Sequence, residues 1–421
     1  MTETQQPPEE TAPGAAAPQT VAGGEELARP GFFSHPLRAL REGELGEVRV
    51  LIALALIWIF FQIRVEDGIF LTAENLTNLS LQIAAVGTVS IGITLILFLG
   101  EIDLSVGSVA GLAAAICGVL SVKNGWDPLL AIAAAIAAGA LIGLFQGLVV
   151  TFFGIPSFVV TLAGLIAWQG AQLKVLGETG TVNLPIPGTI TDIAFTFYSD
   201  TFGVVLAVLG IAVVWGTGLN TRRKRSAAGL DPGDFRMFLV KSVAVTAAIL
   251  WAVFGVFNSD RGIPLAPLIF LALVIIFAFL MGRMRFGRLV MAVGGNEEAS
   301  RRAGIKTKRV KVAVFMLASA LAATGGVLLA SRLQAVGQDT AGGDFLLLAI
   351  AGPVVAGVSL FGGRGTIWAA LLGALVMGSI SNGMDLLELD SPTKFIITGG
   401  VLLAAVILDA ATSRKSATVT R

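Results

Sequence analysis

The feature that most constrains this chain is a succession of apolar runs, each about 18 to 25 residues long, enough to cross a hydrocarbon core of ~30 Å. The runs are continuous rather than alternating, which excludes a membrane β-barrel. In lipid, a backbone without water must satisfy its own polar groups, and a helix does so within one segment. The chain is therefore expected to be an all-α polytopic membrane protein of about twelve transmembrane helices, ten to twelve if some segments are re-entrant. Charged residues make up 14% of the sequence, against about 25% in soluble domains.

The distribution of charge sets the expected orientation. Arg38, Arg41 and Arg49 precede the first run, and Arg222, Arg223, Lys224 and Arg225 follow a later one. Between 283 and 311, nine cations stand against only two acids, and Arg414, Lys415 and Arg421 close the sequence. Walking the runs through puts every dense basic cluster on one side, the cytoplasm, with both termini there. The cluster at Arg222, Arg223, Lys224 and Arg225 reads as a topology signal rather than a nucleic-acid or lipid site. Residues 1–30 are rich in Pro, Ala, Gly, Glu and Thr. They are expected to be a disordered cytoplasmic tail. Residues 31–411 form the membrane domain, with a cytoplasmic loop at 282–311, and 412–421 form a cytoplasmic tail.

Several functions lack their residues. Cys117 is the single cysteine and His35 the single histidine. No metal-ligand cluster, nucleophile elbow or Gly-x-x-x-x-Gly-Lys-Ser/Thr phosphate loop occurs. Any ATP used by this protein is bound by another subunit, and no catalytic site or cofactor is expected on this chain.

Two stretches carry the most information. The first is Gly294-Gly295-Asn296-Glu297-Glu298-Ala299-Ser300-Arg301-Arg302-Ala303-Gly304-Ile305, inside the basic loop. Asn296 can cap a short helix whose first turn holds Glu297 and Glu298, where the helix dipole favours acids. Gly304 supplies the stop. Spacing alone allows either a docking element or a solvated basic loop. The second is Gly100-Glu101-Ile102-Asp103-Leu104-Ser105-Val106-Gly107-Ser108. Two carboxylates between two spanning lengths are costly against lipid, so this is either a cytoplasmic turn or a helix break lining a polar cavity. Asp103 is placed to cap the next helix, with Ser105 and Ser108 behind it; a role in a transport path stands beside that reading.

Other signals are weaker. Gly139, Gly143 and Gly147 make a small-residue stripe that reads as helix packing. Pro156 suits a helix start, and Ser157 and Thr161 suit backbone, interhelical or ligand hydrogen bonds. Residues 177–200 make a longer outer segment. The apolar run at 345–360, the Gly-rich break Phe361-Gly362-Gly363-Arg364-Gly365-Thr366 and the run after it repeat the plan around Asp103, as in many transporters. Pro353 is expected to kink its helix or mark a re-entrant element.

Gly-Gly-Asn-Glu-x-Ala-x-x-x-x-Gly-Ile resembles the coupling-loop signature of permease subunits of bacterial sugar ABC importers of the ribose, xylose and arabinose type. The Gly-x-Ile-Asp-Leu-Ser-Val-Gly-Ser and Pro-Ser-Phe-x-Val-Thr-Leu stretches resemble the same family over roughly 48–411. The helix pair around 236–281, Ser359-Leu360-Phe361-Gly362-Gly363-Arg364-Gly365 and Ser381-Asn382-Gly383-Met384-Asp385 look like its xylose-type members. Ala351-Gly352-Pro353 departs from the family's usual Ala-Ala and an apolar residue. The resemblance implies a cytoplasmic ABC ATPase that binds ATP and Mg, an extracytoplasmic sugar-binding protein, and a homodimer or paired permease in the bacterial cytoplasmic membrane.

It also implies roles. Asn296, Glu297, Glu298, Ala299, Arg301, Arg302 and Gly304 would seat the chain on the ATPase. From the residues themselves, the few polar groups available inside the bundle, Glu101, Asp103, Ser105, Ser108, Thr161, Gln169 and Asn382, are the candidates for the path or gate. No membrane-centred run of ionisable groups resembles a proton relay, which weakens a proton-coupled carrier. A secondary carrier or channel working without an ATPase is the alternative, and a membrane-embedded enzyme, lacking a catalytic constellation, comes third.

Overall fold

The computed structural model describes residues 46–418. The expected tail at 1–30 lies outside them. Among the described residues, nine helices are long and apolar enough to span a membrane. In chain order the helices and short strands are α1 (Gly46–Arg64), α2 (Ala73–Phe98), α3 (Val106–Gly118), α4 (Pro128–Phe153), α5 (Ser157–Leu176), β1 (Thr181–Asn183), α6 (Thr189–Phe195) and β2 (Phe197–Tyr198). Then come α7 (Asp200–Ala227), α8 (Phe235–Leu250), β3 (Ile263–Pro264), α9 (Leu265–Arg283), α10 (Arg285–Gly295), α11 (Glu297–Arg302), α12 (Thr307–Leu333), β4 (Ala335–Gly337), α13 (Phe345–Val355), α14 (Trp368–Leu386) and α15 (Ser391–Thr418). The protein is a polytopic helical membrane protein.

Two differences from the expected boundaries stand out. α13 has 11 residues, about 16 Å of rise, half of a hydrocarbon core. Pro353 sits in its last turn, and the Val358 amide donates to the Pro353 carbonyl at 2.9 Å as the chain leaves the helix. The last helix runs on to Thr418, past the expected boundary at 411.

α12 is the central post, packed on α2, α3 and α4. The stripe on α4 explains how the backbones come so close. A Cβ on Gly139 would stand 2.7 Å from the Ser319 carbonyl oxygen, and one on Gly147 would stand 2.9 Å from Val312 Cα. Gly143 leaves no room at all against the Phe315 carbonyl. Between membrane helices, where lipid competes for apolar contact, such close approach is the main attraction. α2 is buried along almost its whole length. α7 and α8 lie at the other extreme, with nearly every side chain outward.

The chain turns at two ends. One, the basic end, gathers residues 99–105, 154–156, 222–234, 284–306 and 356–367. The opposite end is closed by side-chain bonds and two antiparallel strand pairs, β1 with β4 and β2 with β3. There the Gln172 amide donates to the Gly337 carbonyl at 3.0 Å, and the Ser331 hydroxyl accepts from the Ala194 amide at 2.9 Å.

Candidate functional site

The basic end holds the residues that the sequence singles out in its loop. α10 is amphipathic and buries Gly287, Val290 and Val293. Asn296 then interrupts the helix in an extended conformation and restarts it: its Oδ1 accepts from the Ala299 amide at 2.8 Å. That bond is the expected cap. Gly304, at φ +82, ends α11 as only glycine does without strain. The Gly304 amide donates to Arg301 O at 3.0 Å and the Ile305 amide to Ser300 O at 3.0 Å, the paired bonds of a Schellman stop. The buried Ser300 fastens α11 to α10 by donating to Ala292 O at 2.8 Å. Ala299, Arg301 and Arg302 are exposed. Glu298 pairs with Arg301 and Arg302 on the helix surface, worth a few tenths of a kcal/mol each.

Glu297 does something different. Its Oε2 takes Lys311 Nζ at 2.7 Å, and the same Nζ reaches Glu101 Oε1 at 2.6 Å. Lys311 and Glu101 are largely sheltered, with side chains 13% and 16% exposed, while Glu297 remains half open at 48%. One ammonium thus ties the short helix to the break after α2.

Backbone contacts repeat that tie. Gly294 has no space for a Cβ, which would overlap the Phe98 carbonyl oxygen. That oxygen also accepts from the Gly363 amide at 3.0 Å. A Cβ on Gly362 would stand 2.6 Å from Gly294 O and 2.8 Å from Gly100 N, and one on Gly363 would stand 2.8 Å from Gly295 Cα. Three segments remote in sequence, 98–101, 294–295 and 361–363, therefore touch main chain to main chain. The two Gly-rich breaks that look like a repeat in the sequence meet here.

Behind Glu101 an irregular stretch leads into a buried polar cluster. The Ile102 amide donates to Ser157 Oγ at 3.2 Å and the Leu104 amide to Thr161 Oγ1 at 3.1 Å. Asp103 Oδ1 accepts from both the amide and the hydroxyl of Ser105, at 2.8 and 2.7 Å. Gln146 Nε2 donates to Ser105 Oγ at 2.9 Å. Ser108 donates to Ser105 O at 2.9 Å. Asp103 is 3% exposed, and its Oδ2 has no hydrogen-bond partner among the described residues. Asp103 does not cap α3: Ser105 occupies the N-cap position, and the Asp103 carboxylate closes a turn onto Ser105 instead.

The remaining residues fall elsewhere. Gln169 is on the exposed face of α5. Asn382 is buried at the opposite end in a reciprocal amide pair with Asn75, at 2.9 and 3.1 Å. Sequence reasoning missed Lys311 as a site residue, counting it only as a topology charge; its signal was a cation set into the start of an apolar run. It also missed Gln146, a lone amide in an otherwise apolar helix.

A family model described as "Branched-chain amino acid transport system / permease component" matches residues 75–406. The chain belongs to this permease family. The permease is also 37% identical to the xylose transport system permease protein XylH of Haemophilus influenzae, over 87% of this chain and 96% of that protein. It is 35% identical to XylH of Escherichia coli K12, over 88% and 93% of the two chains. The ribose import permease protein RbsC of Bacillus subtilis is 32% identical over 81% of the permease and 86% of its own length. No solved structure matches the permease.

Proposed function

We propose that this chain is the membrane subunit of a bacterial ATP-driven importer that carries a monosaccharide, xylose or a related pentose, across the cytoplasmic membrane. The observation that carries this reading is the likeness to xylose permeases along nearly their whole length. The chemistry agrees with a neutral cargo. The buried cluster at Ser105, Gln146, Ser157 and Thr161 offers hydroxyls and an amide with a single carboxylate, whereas an amino-acid zwitterion calls for charge of both signs.

In this reading the basic end is cytoplasmic, both termini lie there, and α11 seats on a separate ATPase through Asn296, Glu297, Glu298 and their neighbours. ATP-driven closure of the ATPase moves α11. The Lys311 bridge and the glycine contacts pass that motion to the breaks at 99–105 and 356–367, so the path changes the side it faces. Each chain has one such segment and an importer has two ATPase sites, so two permeases pair, as a homodimer or with a relative. The outer segment at 177–200 belongs to the face that receives a sugar-binding protein.

The deciding experiment is uptake in liposomes carrying this chain, its ATPase and the binding protein. Xylose accumulation that needs ATP and all three components supports the reading. Full uptake by this chain without any ATPase overturns it in favour of a secondary carrier.

A further inference from the structure

Between α11 and the α4–α5 turn lies a cleft of about 750 Å³, and several of its cations have no part in the transport reading. Arg301, Lys306, Lys308, Arg309 and Lys311 line it, with only Glu101 and Glu297 as acids. Pair accounting leaves a surplus. Both glutamates are spent on Lys311, and Arg301 is held by Glu298. Lys306, Lys308 and Arg309 are exposed, and no ion pair is found for them among the described residues. The facing wall is apolar: Phe152 and Phe153, 78% and 67% exposed, stand at the end of α4 with Ile155 beyond them. α4 points much of its side-chain surface outward.

We propose that this cleft binds a phosphate-bearing anion, supplied by an anionic phospholipid of the inner leaflet. Lys306, Lys308 and Arg309 hold the phosphate, and Phe152 and Phe153 receive the acyl chains. A cationic pocket beside a membrane helix attracts such headgroups. The two phenylalanines favour a lipid over free phosphate, because an inorganic ion gains nothing from an apolar wall. The bound headgroup would stand beside α11 and Lys311, where it adds negative charge at the coupling junction. The proposal rests on the reading that this end is cytoplasmic.

The test is lipid retention by the complex of this chain with its ATPase, purified from membranes and washed in mild detergent. Phosphatidylglycerol is expected to stay bound, read by native mass spectrometry. The triple variant Lys306→Gln, Lys308→Gln, Arg309→Gln is expected to lose about tenfold or more of it. Arg223→Gln, Lys224→Gln, Arg225→Gln, cations outside the cleft, should keep it, and thermal melting checks that both variants fold. Phe152→Ser with Phe153→Ser should reduce retained lipid but not displacement by millimolar inorganic phosphate. Retention unchanged in the Lys306 triple variant overturns the proposal. So does a triple variant that keeps its lipid but sheds its ATPase, which would assign the cations to that protein. Phosphate bound by a complex that retains no lipid overturns the lipid source. None of these readouts needs sugar, so a wrong cargo leaves them intact.

Discussion

The two ends of the bundle are held by different kinds of close contact. At the basic end, 98–101, 294–295 and 361–363 meet main chain to main chain, with no side chain at Gly100, Gly294, Gly362 or Gly363 to yield. At the opposite end two short strand pairs are supplemented by side-chain ties between remote segments: Asn75 to Asn382, Gln172 to Gly337, Ser331 to Ala194. A side-chain tie can change rotamer or be bridged by water. A glycine-to-carbonyl contact can only slide or separate. Under the proposed coupling, the basic end would pass on a push from the ATPase with little give, and the other end could adapt its shape.

Substitutions can break or sharpen that contrast. The largest effect is expected from Gly294→Ala, whose methyl would overlap the Phe98 carbonyl. Overpacking of this kind costs about 1–3 kcal/mol, and melting temperature and ATP-driven uptake should both fall. Gly295→Ala, with open space around it, should leave both nearly unchanged. If the two behave alike, the backbone contact is not what matters.

Lys311→Met comes next. It leaves Glu101 and Glu297 without their shared cation. The stability loss should be about 1–3 kcal/mol, because Lys311 and Glu101 are largely sheltered and Glu101 is left without its cation, but ATP hydrolysis should continue with much reduced uptake. Lys311→Arg should recover part of the coupling; equal loss of hydrolysis and uptake would point to plain misfolding.

At the opposite end, Asn382→Ala should cost about 1 kcal/mol in melting. Uptake per folded molecule should be retained, and a coupling defect there would erase the distinction between the ends. The smallest contrast lies within α11. Within this chain Glu298→Ala removes only surface pairs, so it should shift stability by less than about 0.5 kcal/mol and probe the ATPase contact alone. Glu297→Ala opens the Lys311 bridge and should lower coupled uptake several-fold. Comparing ATP hydrolysed per sugar imported separates the two.

Much of this was legible in the residues. Run length and hydropathy announced a polytopic helical protein, and the Asn296 cap and Gly304 stop could be read as written, because capping is a local matter of backbone bonds. The stripe at Gly139, Gly143 and Gly147 was legible as packing, though not its partner α12. Asp103 was misread as the cap of the next helix: the helix starts only after Ser105, and Ser157 and Thr161 on α5 accept the Ile102 and Leu104 amides of the non-helical stretch before it. Gln169 and Asn382 looked like members of one polar path. Helical phase turns Gln169 outward, and Asn75, remote in sequence, claims Asn382.

The sequence by itself determined what the solvent and the local backbone enforce: helices long enough for lipid, their basic ends, and the start and stop of α11. Only the tertiary structure decided which polar groups face one another. Lys311 joins Glu101 to Glu297, and Phe98, Gly294 and Gly363 share one contact, across separations of 14 to 210 residues for the ion pairs alone. No local pattern records such meetings, because they depend on how whole helices pack, and that packing is set by the close approach of small residues scattered along the chain.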